Sequence, residues 1–254
     1  MNDRRWTFEG LPFRMLLEQA GRDRLPFPLQ FTPHADSAAD YHRQRQEATD
    51  SVAPIMDADL RVAVHTIIEP RVRVEVVGHV RVGQSAHEKL RAHVAIGFDS
   101  AAVLTQHPGV HDRSGADVTV HLMEPFRSVG AVLSVLPEVG RGTSTRIDVD
   151  RPVRPTDHES SSPLLSSTPR TTDDARYQRL FSRAPSSAGE ILVCAGPAPD
   201  SRLTEGTSAV QWVDFADDGR YMIRHSANIS VVPVSAAELA SEIQELVEKA
   251  TLRA

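Results

Sequence analysis

One cysteine, Cys194, is all that the 254-residue chain contains. A lone thiol excludes an internal disulfide and a cysteine-rich zinc site. It stands inside Ile191-Leu-Val-Cys-Ala195, which reads as a buried strand, so it is expected to act as a small core hydrophobe. Long apolar runs are also missing. No window approaches the roughly 18 uninterrupted apolar residues that a membrane span needs. Met1-Asn-Asp-Arg-Arg-Trp6 leads into no signal-peptide core, so a cytoplasmic location is expected. Positive charge is in deficit: 28 Lys and Arg stand against 34 Asp and Glu, for a net charge of −6. The lysines are few and the arginines alternate with acids, which excludes the clustered basic field that nucleic acids require. Phosphate-binding motifs are absent as well. Gly140-Arg-Gly-Thr-Ser144 lacks the spacing and lysine of a P-loop, and the prolines of Gly196-Pro-Ala-Pro199 have no N–H to offer. No Gly-x-Ser-x-Gly elbow exists.

What is present is an ordinary globular composition, 40% apolar and 24% charged, arranged in short amphipathic elements. Residues 11–20 read as a helix stopped by Gly21. Leu25-Pro-Phe-Pro-Leu29 follows as an extended apolar connector that must dock on something, because both prolines fix φ. Residues 37–49 open with Ser37-Ala-Ala-Asp40, a relative of the capping box, and continue as a polar surface helix. In residues 57–68, Asp57 is placed to cap a helix whose Leu60, Val64 and Ile67 share one face. Glu69-Pro70 ends it. Val72, Val74 and Val76 alternate with Arg71, Arg73 and Glu75, which predicts a half-exposed strand. Val94, Ile96 and Phe98 line the next strand, and residues 102–106 return antiparallel to it. A strand over 118–122 and a helix over 126–136, stopped by Pro137, complete the first half. Between Gly140 and Pro185, Ser, Thr, Pro and charge dominate. Only 175–181 looks helical there, and 150–172 is expected to be a flexible linker, too polar to offset its ordering entropy.

The second half repeats the order of the first. Asp217-Asp218-Gly219 separates two strand-like runs, and Asp-Gly is a strong hairpin signal because such turns need φ > 0. A strand over 228–232 follows, then a helix opened by the capping box Ser235-Ala-Ala-Glu238, with Leu239, Ile243, Leu246 and Val247 as its buried stripe. Hairpin, strand and helix had already appeared in that order through Asp99-Ser100, 118–122 and 126–136. The expectation is an α+β fold: a central, mostly antiparallel sheet with quasi-two-fold related halves, about 57–137 and 186–254, and flanking helices. Residues 1–56 add N-terminal helices and the connector to what reads as a single domain.

Catalytic chemistry finds little support. His79, His87, His93, His107, His111 and His121 crowd one region, but Pro108-Gly109 breaks any helix between His107 and His111. His93 and His121 are expected to face solvent or cap a sheet edge, so no metal is expected. Asp214, Asp217, Asp218, Asp173 and Asp174 read as turn formers and helix caps rather than acid–base pairs. The serines at 160–162 and 166–167 fall in the expected linker, a poor platform for a nucleophile. No catalytic residue and no cofactor is assigned.

Four blocks in order resemble the EspG family, the cytosolic chaperones of type VII (ESX) secretion. They are the N-terminal helix with Leu25-Pro-Phe-Pro-Leu29, and Asp59-Leu-Arg-Val-Ala-Val64 running to Glu69-Pro-Arg-Val-Arg-Val-Glu-Val76. Ala101-Ala-Val-Leu-Thr-Gln106 with the helix ending Val135-Leu-Pro137 comes third. Trp212-Val-Asp-Phe215 with Asp218-Gly-Arg-Tyr221, its strand and its helix, is the fourth and most specific. The resemblance implies binding rather than catalysis: such chaperones hold the helical tip of a PPE-type protein of a PE–PPE pair and keep it soluble until secretion. This chain is short for that role, which leaves room for another helical client. Position suggests contacts at Phe98, Asp99 and Ser100 on a hairpin tip and at Glu242, Glu245 and Lys249 on the outward face of the last helix. A homo-oligomeric scaffold and an unrecognised hydrolase are the alternatives.

Overall fold

The computed structural model describes residues 3–83, 86–109, 115–150, 172–198 and 205–254. In chain order its elements are β1 (Arg4–Phe8), α1 (Gly10–Gln19), α2 (Ala38–Val52), α3 (Ala58–Ile68), β2 (Val72–Val82), β3 (Ala86–Ile96), β4 (Ala101–Pro108), β5 (Gly115–Met123), α4 (Ser128–Val135), β6 (Ile147–Asp150), α5 (Thr172–Phe181), β7 (Ser187–Ala195), β8 (Ser208–Phe215), β9 (Gly219–His225), β10 (Asn228–Pro233) and α6 (Ala236–Thr251).

Local chemistry sets the helix ends. Ser37, Asp57 and Ser235 cap α2, α3 and α6 by accepting the backbone N–H groups of Asp40, Leu60 and Glu238. At Ser235 the Glu238 carboxylate accepts the reciprocal N–H at 2.7 Å, completing a capping box. Helix α1 stops at Gly21, whose φ of 89° suits only glycine. The Gly21 and Arg22 N–H groups then reach back to the Glu18 and Leu17 carbonyls in a Schellman motif.

The strands form one ten-stranded sheet in the order β1-β5-β4-β3-β2-β7-β8-β9-β10-β6, and every neighbouring pair is antiparallel. The α+β class read from the sequence is the one observed. On each side of the β2–β7 contact lies a four-strand meander. The strand preceding that meander in the chain covers its outer edge, and a helix, α4 or α6, follows it.

Helices α4 and α6 pack together on one face, over Val72, Val74, Val94, Val193 and Trp212. On the other face α1 and α3 cover the first half, with Leu29 of the connector tucked beside them. In the second half, among the described residues, α5 covers that face, over β6, β8, β9 and β10.

Four sequence expectations change. Strand β2 is not half-exposed: it lies mid-sheet with both faces covered, and Arg73 and Glu75 are buried. Strands β1 and β6 at the sheet edges had no sequence signal of their own; they exist because β5 and β10 offer ladders to pair with. Asp150 and Thr172, the ends of the expected linker, belong to β6 and α5, while 151–171 lie outside the described residues. Helix α4 begins at Ser128, so Phe126 sits in the preceding single turn and is 80% exposed.

Candidate partner-binding surface

The β3–β4 turn is closed by the Gly97 N–H donating to the Ser100 carbonyl at 2.8 Å. Its tip presents Phe98, 76% exposed, beside an exposed Asp99. The Arg71 guanidinium lies 4.2 Å from the centre of the Phe98 ring and also donates to the Thr251 carbonyl at 3.5 Å. One arginine thus ties the turn to the C-terminal end of α6, where Lys249 stands one turn from its ion-pair partner Glu245 at 3.5 Å. Ser100 is different. Its side chain is buried and shares a 2.6 Å hydrogen bond with Thr66 of α3, so it anchors the turn from beneath and presents nothing outward. Glu242 is also engaged: its carboxylate accepts the Arg224 guanidinium of β9, on the side of α6 that leans on the sheet.

Two further residues complete this end of the sheet. Phe126 follows β5, whose Met123 pairs with Ala101 next to the turn. Leu252 follows Thr251 and is 89% exposed. Three large exposed apolar side chains therefore surround the same sheet end, from three separate elements. Sequence reading made Phe126 the first residue of a helix and passed over Leu252. Their exposure follows from where the elements stop, which pattern alone does not resolve. Clustered exposed apolar groups with a charged rim are the usual mark of an interaction surface.

Several titratable groups are sealed inside. His93 is 1% exposed rather than solvent-facing, because the connector after α1 crosses the sheet above it. Its Nδ1–H donates to the Phe27 carbonyl at 2.8 Å, leaving Nε2 buried without a partner among the described residues. The connector is held along its length by polar contacts. Arg22 donates to the Ala198 carbonyl at 3.0 Å, Arg91 to Gln30 Oε1 at 3.2 Å, and Gln106 both accepts from the Gln30 N–H and donates to its carbonyl. Arg73 donates to Glu75 at 2.8 Å in the same layer. Burial raises the Glu75 carboxyl against that bond. Asp214 is fully buried against Arg220. Burial alone would raise the Asp218 carboxyl, but hydrogen bonds from the Thr143 backbone, Arg183, the Thr143 hydroxyl and Tyr221 hold it far below the usual range. His121 lies beside the edge strand β1, bonded to Asp3 and Arg5. Among the described residues no group of three or more His, Cys, Asp or Glu side chains is placed to hold a metal; His111 lies outside them. Among the same residues, no helix is long and apolar enough to cross a membrane.

The sealed histidine has a pH consequence. Burial, assisted by the charges of Arg22 and Arg73 and opposed by the Phe27 bond, pushes the His93 pKa down to about 3. An unfolded histidine titrates near 6.5. Below that pH the unfolded chain takes up a proton that the folded chain refuses, so stability is lost as pH falls from about 6.5 towards 3. His93→Gln should flatten that decline by about 1.4 kcal/mol per pH unit, read from urea unfolding between pH 6.5 and 4. Equal slopes in the two proteins would contradict the assignment.

The family model described as the EspG family matches residues 10–245. Among solved structures, the fold is similar to that of the Mycobacterium tuberculosis type VII secretion system chaperone EspG5, determined in complex with a PE25–PPE41 dimer. That similarity has a TM-score of 0.51 at 12% identity and covers 96% of each chain. Among curated proteins no sequence matches this one.

Proposed function

Because the chain belongs to the EspG family, we propose that it is a chaperone of type VII secretion, which binds a helical secretion substrate and keeps it soluble in the cytoplasm before export. The substrate is a PPE-like protein of a PE–PPE pair. The observation that carries this reading is the family match, which runs through nearly every element from α1 to α6. EspG5, with the same fold, was solved holding such a pair. The distribution of chemistry agrees: the ionisable groups of the interior are paired or sealed, and the three most exposed large apolar side chains among the described residues, Phe98, Phe126 and Leu252, stand around one sheet end. A binding role needs such a surface; a catalytic one needs reactive groups in a cleft. The strand order supports taking 57–137 and 186–254 as two similar units. The exposure of Phe98, Phe126 and Leu252 is the reason for placing the client at the first turn and the end of α6.

Phe98 and Asp99, with Phe126, Leu252, Glu245 and Lys249 around them, form the proposed contact. Glu242 sits at its margin. Co-expression with a PPE-like protein and its PE partner should raise the soluble yield of the pair and give a stable complex on gel filtration. If the pair is equally soluble alone and no complex elutes, the reading fails. Self-association with no client complex would favour the scaffold instead. Phe98→Asp should weaken the complex by about tenfold or more, the effect of losing a well-placed aromatic anchor. As an exposed substitution it should leave the chain's own stability within roughly 0.5 kcal/mol. An unchanged affinity would move the contact elsewhere.

A further inference from the structure

Arg71 immediately precedes β2, the strand at the seam between the two halves, with β3 on one side and β7 on the other. Its backbone is fixed from both sides. The N–H donates to the Ile96 carbonyl at 2.9 Å, and the carbonyl accepts the Gly196 N–H at 2.7 Å. The side chain therefore leaves from a rigid point. Its guanidinium reaches the first half at the Phe98 ring, 4.2 Å from the ring centre, and the second half at the Thr251 carbonyl, 3.5 Å away. Both contacts suit a cation. The face of an aromatic ring carries negative potential, and so do the last carbonyls of a helix.

Phe98 gains more from this than α6 does. On the tip of its turn and 76% exposed, the ring has little packing to hold it. A side chain free to sample its rotamers must be ordered when a partner binds, and that ordering opposes binding. A ring already held against a guanidinium has lost part of that freedom beforehand. The end of α6 has a separate hold, because Arg253 donates to the Gly206 carbonyl at 2.9 Å. We propose that Arg71 is a positioning residue for the client contact: it holds the Phe98 ring beside the last turn of α6 in the arrangement a client meets, and it acts on the client through that ring. The inference rests on the chaperone reading and adds to it a residue outside the contact itself, on which the order of the contact depends.

A double-variant cycle on the full chain tests it, with affinity measured for a PPE-like protein and its PE partner. Arg71→Met should weaken the complex about fivefold, the order of effect of leaving one side chain to be immobilised on binding. In a Phe98→Ala background the same substitution should change affinity by less than about twofold, because the ring it positions is gone. Arg71→Lys keeps the charge but loses the flat stack, and should fall between the parent and Arg71→Met. Both backbone bonds of residue 71 survive these substitutions, so the fold should be kept. In the free chain, fluorine relaxation of a fluorinated phenylalanine at position 98 should report faster ring motion in Arg71→Met than in the parent. Equal ring motion in the two free proteins would overturn the positioning role whether or not a client binds. So would a parent complex that Arg71→Met forms equally well, or a loss of the same factor with and without the Phe98 ring, which would place Arg71 directly on the client; in both cases the chaperone reading stands. A parent that forms no complex would sink the chaperone reading itself, and the positioning role with it.

Discussion

Arg220→Met is expected to destabilise the protein by about 3–5 kcal/mol, the usual effect of stranding one member of a buried ion pair. Arg220 is 2% exposed and forms a two-pronged pair with Asp214, Nε to Oδ1 at 2.7 Å and Nη2 to Oδ2 at 2.8 Å. The same Nη2 donates to the Pro137 carbonyl at 2.8 Å, fixing the chain where it leaves α4. Without the guanidinium, the Ser187 hydroxyl is the one side-chain donor left to Asp214 among the described residues, in a site with no access to water. A buried carboxylate left in that state must either bear the desolvation penalty or take up a proton. Changing Asp214→Leu in the same protein removes the stranded charge, so the double variant should be more stable than Arg220→Met alone. Urea midpoints of the parent, both single variants and the double variant decide it. If the double variant is as unstable as the two single losses added together, the pair does not act as a unit. Recovery should be partial in any case, because the Pro137 carbonyl loses its donor in both proteins.

Signals that act within a few residues were legible in the sequence. Ser37, Asp57, Gly21 and the Ser235–Glu238 box act where they were expected, because capping needs only neighbours in the chain. The hairpin read from Asp217-Asp218-Gly219 also forms between β8 and β9, with residues 216–218 as its turn and Gly219, at positive φ, opening β9 opposite Phe215. Misreadings arose wherever a distant segment sets the environment. The alternation in β2 was correct, but a polar residue at every second position was taken to face water. The connector after α1 folds over that face and turns Arg73, Glu75 and His93 into a buried polar layer. Nothing near Arg73 in sequence announces that Gly196 will accept its hydrogen bond. The candidate contacts divide in the same way. Phe98 and Asp99 are at a turn tip as expected, whereas the inward rotation of Ser100 depends on Thr66, an α3 residue brought there by packing. Edge strands β1 and β6 are the extreme case: Arg4–Phe8 and Ile147–Asp150 carry weak patterns of their own and gain their conformation from β5 and β10.

Trp212→Ala should cost about 3–5 kcal/mol, as large-to-small changes of fully buried aromatics do. The indole is 1% exposed and lies in a slot made by two glycines that face each other across the β2–β7 pair, Gly78 and Gly189. A Cβ on Gly189 would stand 2.2 Å from Trp212 Cη2 and 2.3 Å from the Val77 carbonyl oxygen. One on Gly78 would stand 2.7 Å from the same ring atom and 2.6 Å from the Ala188 carbonyl oxygen. Gly189→Ala should therefore be destabilising by about 1–3 kcal/mol or more, as overpacking generally is. Because half of the clash is with backbone, removing the indole cannot relieve it. The double variant Trp212→Ala, Gly189→Ala should melt no higher than Trp212→Ala alone; a rescue would show that the ring sets the glycine requirement without the close backbone approach. Trp212 is also wired to the first prediction, since its Nε1–H donates to the Ser187 hydroxyl at 3.2 Å and that hydroxyl donates to Asp214. Trp212→Phe, which keeps most of the volume but loses the donor, should be milder than Trp212→Ala by the difference between a hydrogen bond and a cavity. The named side chains of Trp212–Tyr221 thus work inside the fold. Trp212 fills the glycine slot, Asp214 neutralises Arg220, and Asp218 gathers Thr143, Arg183 and Tyr221.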